Sequence, residues 1–431
     1  MMSETGAAAT RTTWRHWLLL SAIVVAFIAA AGSAMRHTST TFDEILLPSA
    51  GARGYTTGSF EMITLYHPPV LQYVYGLPVA LADFTYPAEM DVDWNDALSF
   101  FYARTFYFGL DNDPRRLAFL ARTMGVAIGA LLILVTFLFT RTAAGPRAAV
   151  LAAALVAFLP DVLAHSGISY NDVPVALVVL FTLWSADAAI RDPRPWRAAL
   201  CGAVLGLALG VKFSAVALGP AGLLLLIVEA VRRWPDPDWV RRILLHAAPL
   251  VLVALYVMLV IIYLGDFALV DFRAGLLFNI RHATFGHGAP AVLLGRHSVT
   301  GWWYFFPVAF FLKTSAGLHL LMLTGLTALL AARPEWSWRG LAASPVRVPA
   351  AGALVFLGFV MAAKLNIGFR HALPILPLVC ILTACAVSRA WAMRRPVVRF
   401  AVVLGAAWHI LSSLSAYPWF LSYLSEYTGP A

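Results

Sequence analysis

The chain has 431 residues, of which 61% are hydrophobic and only 12% charged, and its mean hydropathy is +0.77. No water-soluble domain can bury that much apolar surface, so the composition excludes a soluble enzyme and calls for a polytopic membrane protein. The formal net charge of +9 comes mostly from arginines set in short clusters between apolar runs, which is the positive-inside pattern and not a nucleic-acid surface.

The first apolar run, Trp17 to Met35, is too long for a signal h-region and is followed by no evident cleavage site, so it reads as a retained transmembrane helix. After it comes a long loop (36–117). This loop holds the acid pair Asp43–Glu44, the turn Tyr66-His67-Pro68-Pro69, and two apolar stretches (70–81 and 97–109) suited to lying in the membrane interface. Further spans are predicted at 118–140, 148–164, 172–190, 198–211, 214–231, 243–264, 306–331, 349–363, 372–391 and 400–416. With the first span at 15–35, this makes about eleven.

Alternate turns carry Arg141 and Arg147, then Arg191, Arg194 and Arg197, then Arg232, Arg233, Arg241 and Arg242. Arg333, Arg339 and Arg347 follow, and finally Arg394, Arg395 and Arg399. That side and the amino terminus are expected in the cytoplasm. The opposite face holds the loops 36–117, 165–171, 265–305 and 364–371 and the tail from Tyr417. Cys201, Cys380 and Cys385 lie in apolar runs and suggest neither a disulfide framework nor a zinc cluster.

Four outer clusters could carry chemistry: Thr41-Phe42-Asp43-Glu44 with His67, the turn His165 to Asp172, the run His287 to Lys313, and Lys364 to Pro374. A carboxylate such as Asp43 can take a proton from an acceptor hydroxyl. Lys212, Arg370 and His371, at predicted outer helix ends, can neutralise a departing lipid phosphate. Glu44 could shape that base, bind acceptor or cap a turn. Asp172 could act in the site or N-cap the following helix. Lys212 could equally snorkel between two spans. His67, His287 and Glu44 could converge on a divalent ion; no other cofactor is suggested. His287, Arg296 and His297 read as loop-ordering or donor-contact residues.

The acid pair, the HPP turn, the run GHGAPAVLLGRHSVTGWWYFFPVAFFLKT and the run NIGFRHALP resemble the lipid-carrier-dependent glycosyltransferases. The resemblance is closest to the bacterial branch of the protein O-mannosyltransferase and aminoarabinose transferase superfamily. It extends from Thr41 to the tail YPWFLSYLSEYTG. It implies an all-α polytopic membrane protein, a single GT-C bundle with interfacial helices on the outer face. It also implies a hexosyl- or pentosyltransferase, mannosyltransferase-like, inverting a sugar from a polyprenyl-phosphate donor onto an acceptor hydroxyl outside the inner membrane. Asp43 then matches the catalytic base with Glu44 beside it, and the second-loop acid falls at Asp172 or, second in order, Asp161. The short 265–305 loop departs from eukaryotic mannosyltransferases, which carry a folded lumenal domain there. A secondary transporter or a non-catalytic envelope subunit are the rival readings; the transporter would favour mid-membrane charges and paired repeats.

Overall fold

The computed structural model describes residues 12–90, 92–286, 288, 290–331 and 337–428. Helices dominate the described residues, and a single two-stranded hairpin is the only sheet among them. The first span is α1 (Trp14–Ala34), and the long loop after it folds into α2 (Leu46–Thr57), α3 (Val70–Ala80) and α4 (Asp96–Arg104). The chain then enters the bundle through α5 (Pro114–Ala144), α6 (Pro146–Ala157), α7 (Pro160–Ser166), α8 (Asp172–Arg191), α9 (Pro195–Val211) and α10 (Leu218–Arg233). Next come α11 (Pro237–Arg242), α12 (Ala248–Ile262) and α13 (Val270–Phe285), then a hairpin of β1 (Ala291–Leu293) and β2 (Arg296–Ser298). The last helices are α14 (Phe305–Lys313), α15 (Ala316–Ala331), α16 (Trp338–Ala343), α17 (Arg347–Ala362), α18 (Ile375–Ala392) and α19 (Pro396–Ser415).

Seven helical segments among the described residues are long and apolar enough to cross a bilayer, and two bent pairs bring the number to nine. The two remaining predicted spans, 198–211 and 349–363, fall on the shorter apolar helices α9 and α17. Helix boundaries follow local chemistry. Asp113 caps α5 by accepting from the Arg115 amide at 2.9 Å, and Pro114 takes the first helical position. Pro160 cannot continue α6, and the chain bends by 63° into α7. Lys212 adopts an extended backbone (φ −157°, ψ 132°) between α9 and the short turn before α10, so the predicted interruption at that lysine is a real helix break.

Two close helix crossings organise the bundle. On α9, Gly202 and Gly206 face the α12 backbone; a Cβ at Gly202 would meet the Val251 carbonyl at 2.2 Å. Gly51 of α2 lies against the α3 backbone, where a Cβ would meet the Gln72 carbonyl at 1.9 Å. Small residues let helices touch where the solvent offers no hydrophobic drive. The 265–305 segment is more ordered than its sequence suggested: it contains the sixteen-residue α13 and the hairpin.

At the end of the bundle formed by the arginine-rich turns, Arg347 pairs with Asp187 at 2.6 Å and with Glu229 at 2.5 Å, while Arg232 and Arg233 also grip the fully buried Glu229. These pairs tie together α8, α10 and α17. The acid pair, the HSGISYND turn and the NIGFRH run meet at another place.

Candidate active site

The loop after α1 is shaped by one buried ion pair. Arg122, within α5, donates to Glu44 through Nε at 2.6 Å and Nη2 at 2.8 Å. Its remaining hydrogens hold the carbonyls of Met35 (2.7 Å), Thr38 (2.9 Å) and Ser39 (2.9 Å). Glu44 also accepts from the backbone amides of Thr41 and Ser169, both at 3.1 Å. Glu44 is 0% exposed, so every bond it makes is internal and none is left for substrate. This corrects the reading of Glu44 as a catalytic acid or metal ligand: it is the clamp that seats its neighbour.

That neighbour faces the other way. Asp43 sits in a single 3₁₀ turn with its side chain 27% exposed, and its Oδ2 accepts from Arg370 Nη2 at 2.9 Å. Arg370, in the short turn Phe369–Ala372, also lies over the Tyr170 ring with its guanidinium carbon 5.1 Å from the centroid. Burial would lower its pKa, but the Asp172, Tyr170 and Asp43 charges reverse this and raise it. Tyr170 in turn lies 3.3 Å from His67 Nε2, and the Asn171 amide is 3.3 Å from His67 Nδ1. Burial and the Lys212 charge push His67 down to about 4, so it stands neutral.

Asp172 begins α8, but its side chain makes no capping bond; it instead receives Lys212 Nζ at 3.0 Å. The capping reading of Asp172 is therefore not realised, and Lys212 is paired instead of snorkelling freely. His165 Nδ1 stands 3.5 Å from the other Asp172 oxygen. Burial, then the Lys212 charge, push His371 down to about 3, so it offers a hydrogen bond but not the positive charge expected of it.

Asp43, Asp161, His165, Tyr170, Asp172, Lys313 and Arg370 line one cavity of about 370 Å³. Buried Asp161 Oδ2 on this cavity has no hydrogen-bond partner among the described residues, and His165 Nδ1 and Asp172 Oδ2 meet only each other, at 3.5 Å and without a hydrogen bond. Orphaned polar atoms around a cavity mark where a polar ligand belongs. Directly beyond, Lys212 and His371 enter a second cavity of about 450 Å³, walled by Phe213, Phe306, Phe356 and Phe359. The Asp172–Lys212 pair and the adjacent Arg370–His371 residues join the two.

Comparison with known proteins identifies the fold that carries these residues. Residues 115–263 match the dolichyl-phosphate-mannose-protein mannosyltransferase family. ArnT from Cupriavidus metallidurans bound to undecaprenyl phosphate aligns with a TM-score of 0.56 and 18% identity, over 95% of this chain and 73% of that one. The apo oligosaccharyltransferase of Archaeoglobus fulgidus aligns with a TM-score of 0.59 and 14% identity, over 96% of this chain and 56% of its own. This is the GT-C glycosyltransferase fold. The chain thus spans just over half the length of the oligosaccharyltransferase. No curated protein matches the sequence.

Within the GT-C fold, the predicted site residues divide. Asp43, His67, Asp172, Lys212, Arg370 and His371 come together. Arg296 and His297 are on the β1–β2 hairpin, outside the cavities that hold the others. His287 lies outside the described residues. The three-residue divalent-ion set fails at Glu44, whose oxygens are occupied, and no group of three or more potential metal-ligating side chains occurs among the described residues.

Arg122 was missed by sequence reasoning. Its signal was present: it is an ionisable side chain inside a predicted span, which marks a site or its support. His319 and His409 are satisfied structurally, by Thr314 and Tyr427 and by Ser315 and the Leu155 carbonyl.

Proposed function

We propose that the protein is a membrane glycosyltransferase that moves a sugar from a polyprenyl-phosphate donor to an acceptor hydroxyl, with inversion. The observation that carries this is the ion pair Asp43–Arg370 on the wall of the polar cavity, a guanidinium that a donor phosphate can share because the next residue, His371, lines the aromatic groove. An apolar groove ending in Lys212, His371 and the nearby Arg370 suits an isoprenoid chain with a phosphate at its head. Arg370 offers a forked set of donors for phosphate oxygens. The neighbouring ArnT structure, which holds undecaprenyl phosphate, supports the same donor class.

The chemistry follows from that sharing. Without donor, Arg370 engages Asp43; donor phosphate competes for the guanidinium and releases the carboxylate toward the cavity. Asp43 takes the proton of the acceptor hydroxyl as its oxygen forms the bond to the anomeric carbon. The bond from that carbon to the phosphate oxygen breaks, and polyprenyl phosphate departs with the electron pair against Arg370. Attack opposite the leaving group inverts the centre. Lys212 is partly neutralised by Asp172 and serves the donor less directly. Asp161 supplies a buried oxygen without a hydrogen-bond partner for a sugar hydroxyl, and His165, beside Asp172, lines the same cavity. The arginine-rich end faces the cytoplasm and the site opens on the extracytoplasmic side of the inner membrane.

The test is transfer from a radiolabelled polyprenyl-phosphate sugar in membranes carrying the full chain. Asp43→Asn keeps the hydrogen bond to Arg370 geometrically feasible and removes the base, so turnover should fall by about 10² to 10⁴. Undiminished turnover in that variant, with folding verified by thermal melting, overturns the base and the reading built on it.

A further inference from the structure

The central cavity continues away from the aromatic groove into a third cavity of about 200 Å³, with Thr41, Ile168 and Leu421 common to both. Its floor is the loop that Arg122 pins by its carbonyls, and it presents Thr38, Ser39, Thr40 and Thr41. Its opposite wall is the carboxyl-terminal segment, with Trp419 and Ser422. That segment is tied down: Lys313 Nζ donates to the carbonyls of Leu421 (2.9 Å) and Tyr423 (2.8 Å), and Glu426 accepts from the Ala316 amide at 3.0 Å. Trp419 borders the cavity and is nonetheless 57% exposed.

No Asp, Glu, Lys, Arg or His lines this cavity among the described residues. The contrast with the cationic entrance of the donor groove is chemical. An anionic headgroup would find no counter-charge here, and a charged peptide side chain no partner. Hydroxyls match sugar hydroxyls as donors and acceptors alike, and an indole face matches the C–H face of a sugar ring. The volume is below the ~300 Å³ of drug-sized ligand sites, which suits about one sugar unit.

We propose that this cavity is the acceptor subsite and that it takes an uncharged saccharide, whose hydroxyl then reaches Asp43 through the opening at Thr41. This rests on the glycosyltransferase reading and deepens it by naming the acceptor class. The saccharide can come free in the aqueous phase or linked to a lipid, since Ala31 and Ala34 of α1 also border the cavity.

The experiment uses the full chain in nanodiscs and equilibrium binding of a panel of methyl and octyl glycosides of glucose, mannose, galactose, arabinose and N-acetylglucosamine. At least one should bind, and Trp419→Ala should weaken it by about tenfold, the order expected for loss of an aromatic contact. Thr40→Phe, which fills the cavity instead of emptying it, should weaken the same glycoside. Polyprenyl phosphate should still raise the melting temperature of both variants as in wild type. Binding confined to octyl glycosides identifies a lipid-linked acceptor; equal binding of methyl glycosides identifies a free one. The proposal is overturned if no neutral glycoside binds, if both variants bind as wild type does, or if phosphatidylglycerol or a peptide occupies the cavity instead. If binding behaves as stated but no sugar is transferred from donor, the subsite stands and the enzymatic reading falls. If transfer occurs and neither variant changes the acceptor KM, the reverse holds.

Discussion

Asp43 and Glu44 are neighbours in sequence with opposite environments. A 3₁₀ turn points successive side chains in different directions, so one carboxylate enters the cavity and the other enters the protein. The adjacent acids looked alike in sequence because nothing local distinguishes them; Arg122, seventy-eight positions away, makes the distinction. The two histidines beside the site give a pH signature. His67 and His371 fall to about 4 and about 3 from an ordinary 6.5. Their unfolded imidazoles bind protons near pH 6.5 that the native ones refuse, so the contribution to stability is complete above that pH. It declines as pH falls toward their native values. Melting temperature in nanodiscs should therefore drop between pH 7 and pH 5, and His67→Asn should flatten the decline. An unchanged slope in that variant would show that His67 is not held neutral.

At the scale of elements, the buried Glu44–Arg122 pair fastens the α1–α2 loop to α5 and to the turn before α8. Removing one partner strands the other charge in a buried place, a cost of roughly 3–5 kcal/mol. Arg122→Met should thus lower the melting temperature markedly and diminish transfer with it, whereas Arg370→Met should lower transfer with little change in melting. Equal thermal effects in the two variants would remove the distinction between clamp and site. The α2–α3 crossing is as exacting. Gly76→Leu would drive a side chain into the backbone of Gly51, where even a Cβ would stand 2.4 Å from its Cα. Loss of the folded protein in membrane extracts is the expected result, and normal accumulation would contradict the close crossing.

For the whole molecule, the ion-pair network of Asp187, Glu229, Arg232, Arg233 and Arg347 gathers turns that sequence reading put on one side of the bilayer. Reporters fused after Gly145 and after Pro290 should accordingly report opposite faces; the same face for both would overturn the proposed orientation. Broken helices set the architecture as much as long ones do. The 63° bend between α6 and α7 and the 109° bend between α14 and α15 bring Asp161 and Lys313 to the central cavity. The proline at 160 announces the first bend, but the second follows Lys313 without one.

The sequence by itself determined the membrane class, the approximate spans and the separation of arginine-rich turns from elaborate loops, because hydropathy and charge act over neighbouring residues. It also exposed Asp43, Arg370 and Lys212 as residues worth watching, since a charge beside an apolar run is conspicuous. The tertiary structure alone decided which charges meet. Glu44 became a clamp, Asp172 a partner of Lys212, and His371 a neutral group, because burial and ion pairing depend on contacts between distant segments. Arg296 and His297 were left on a hairpin for the same reason: a polar side chain in a loop carries no local sign of the cavity that it does or does not reach.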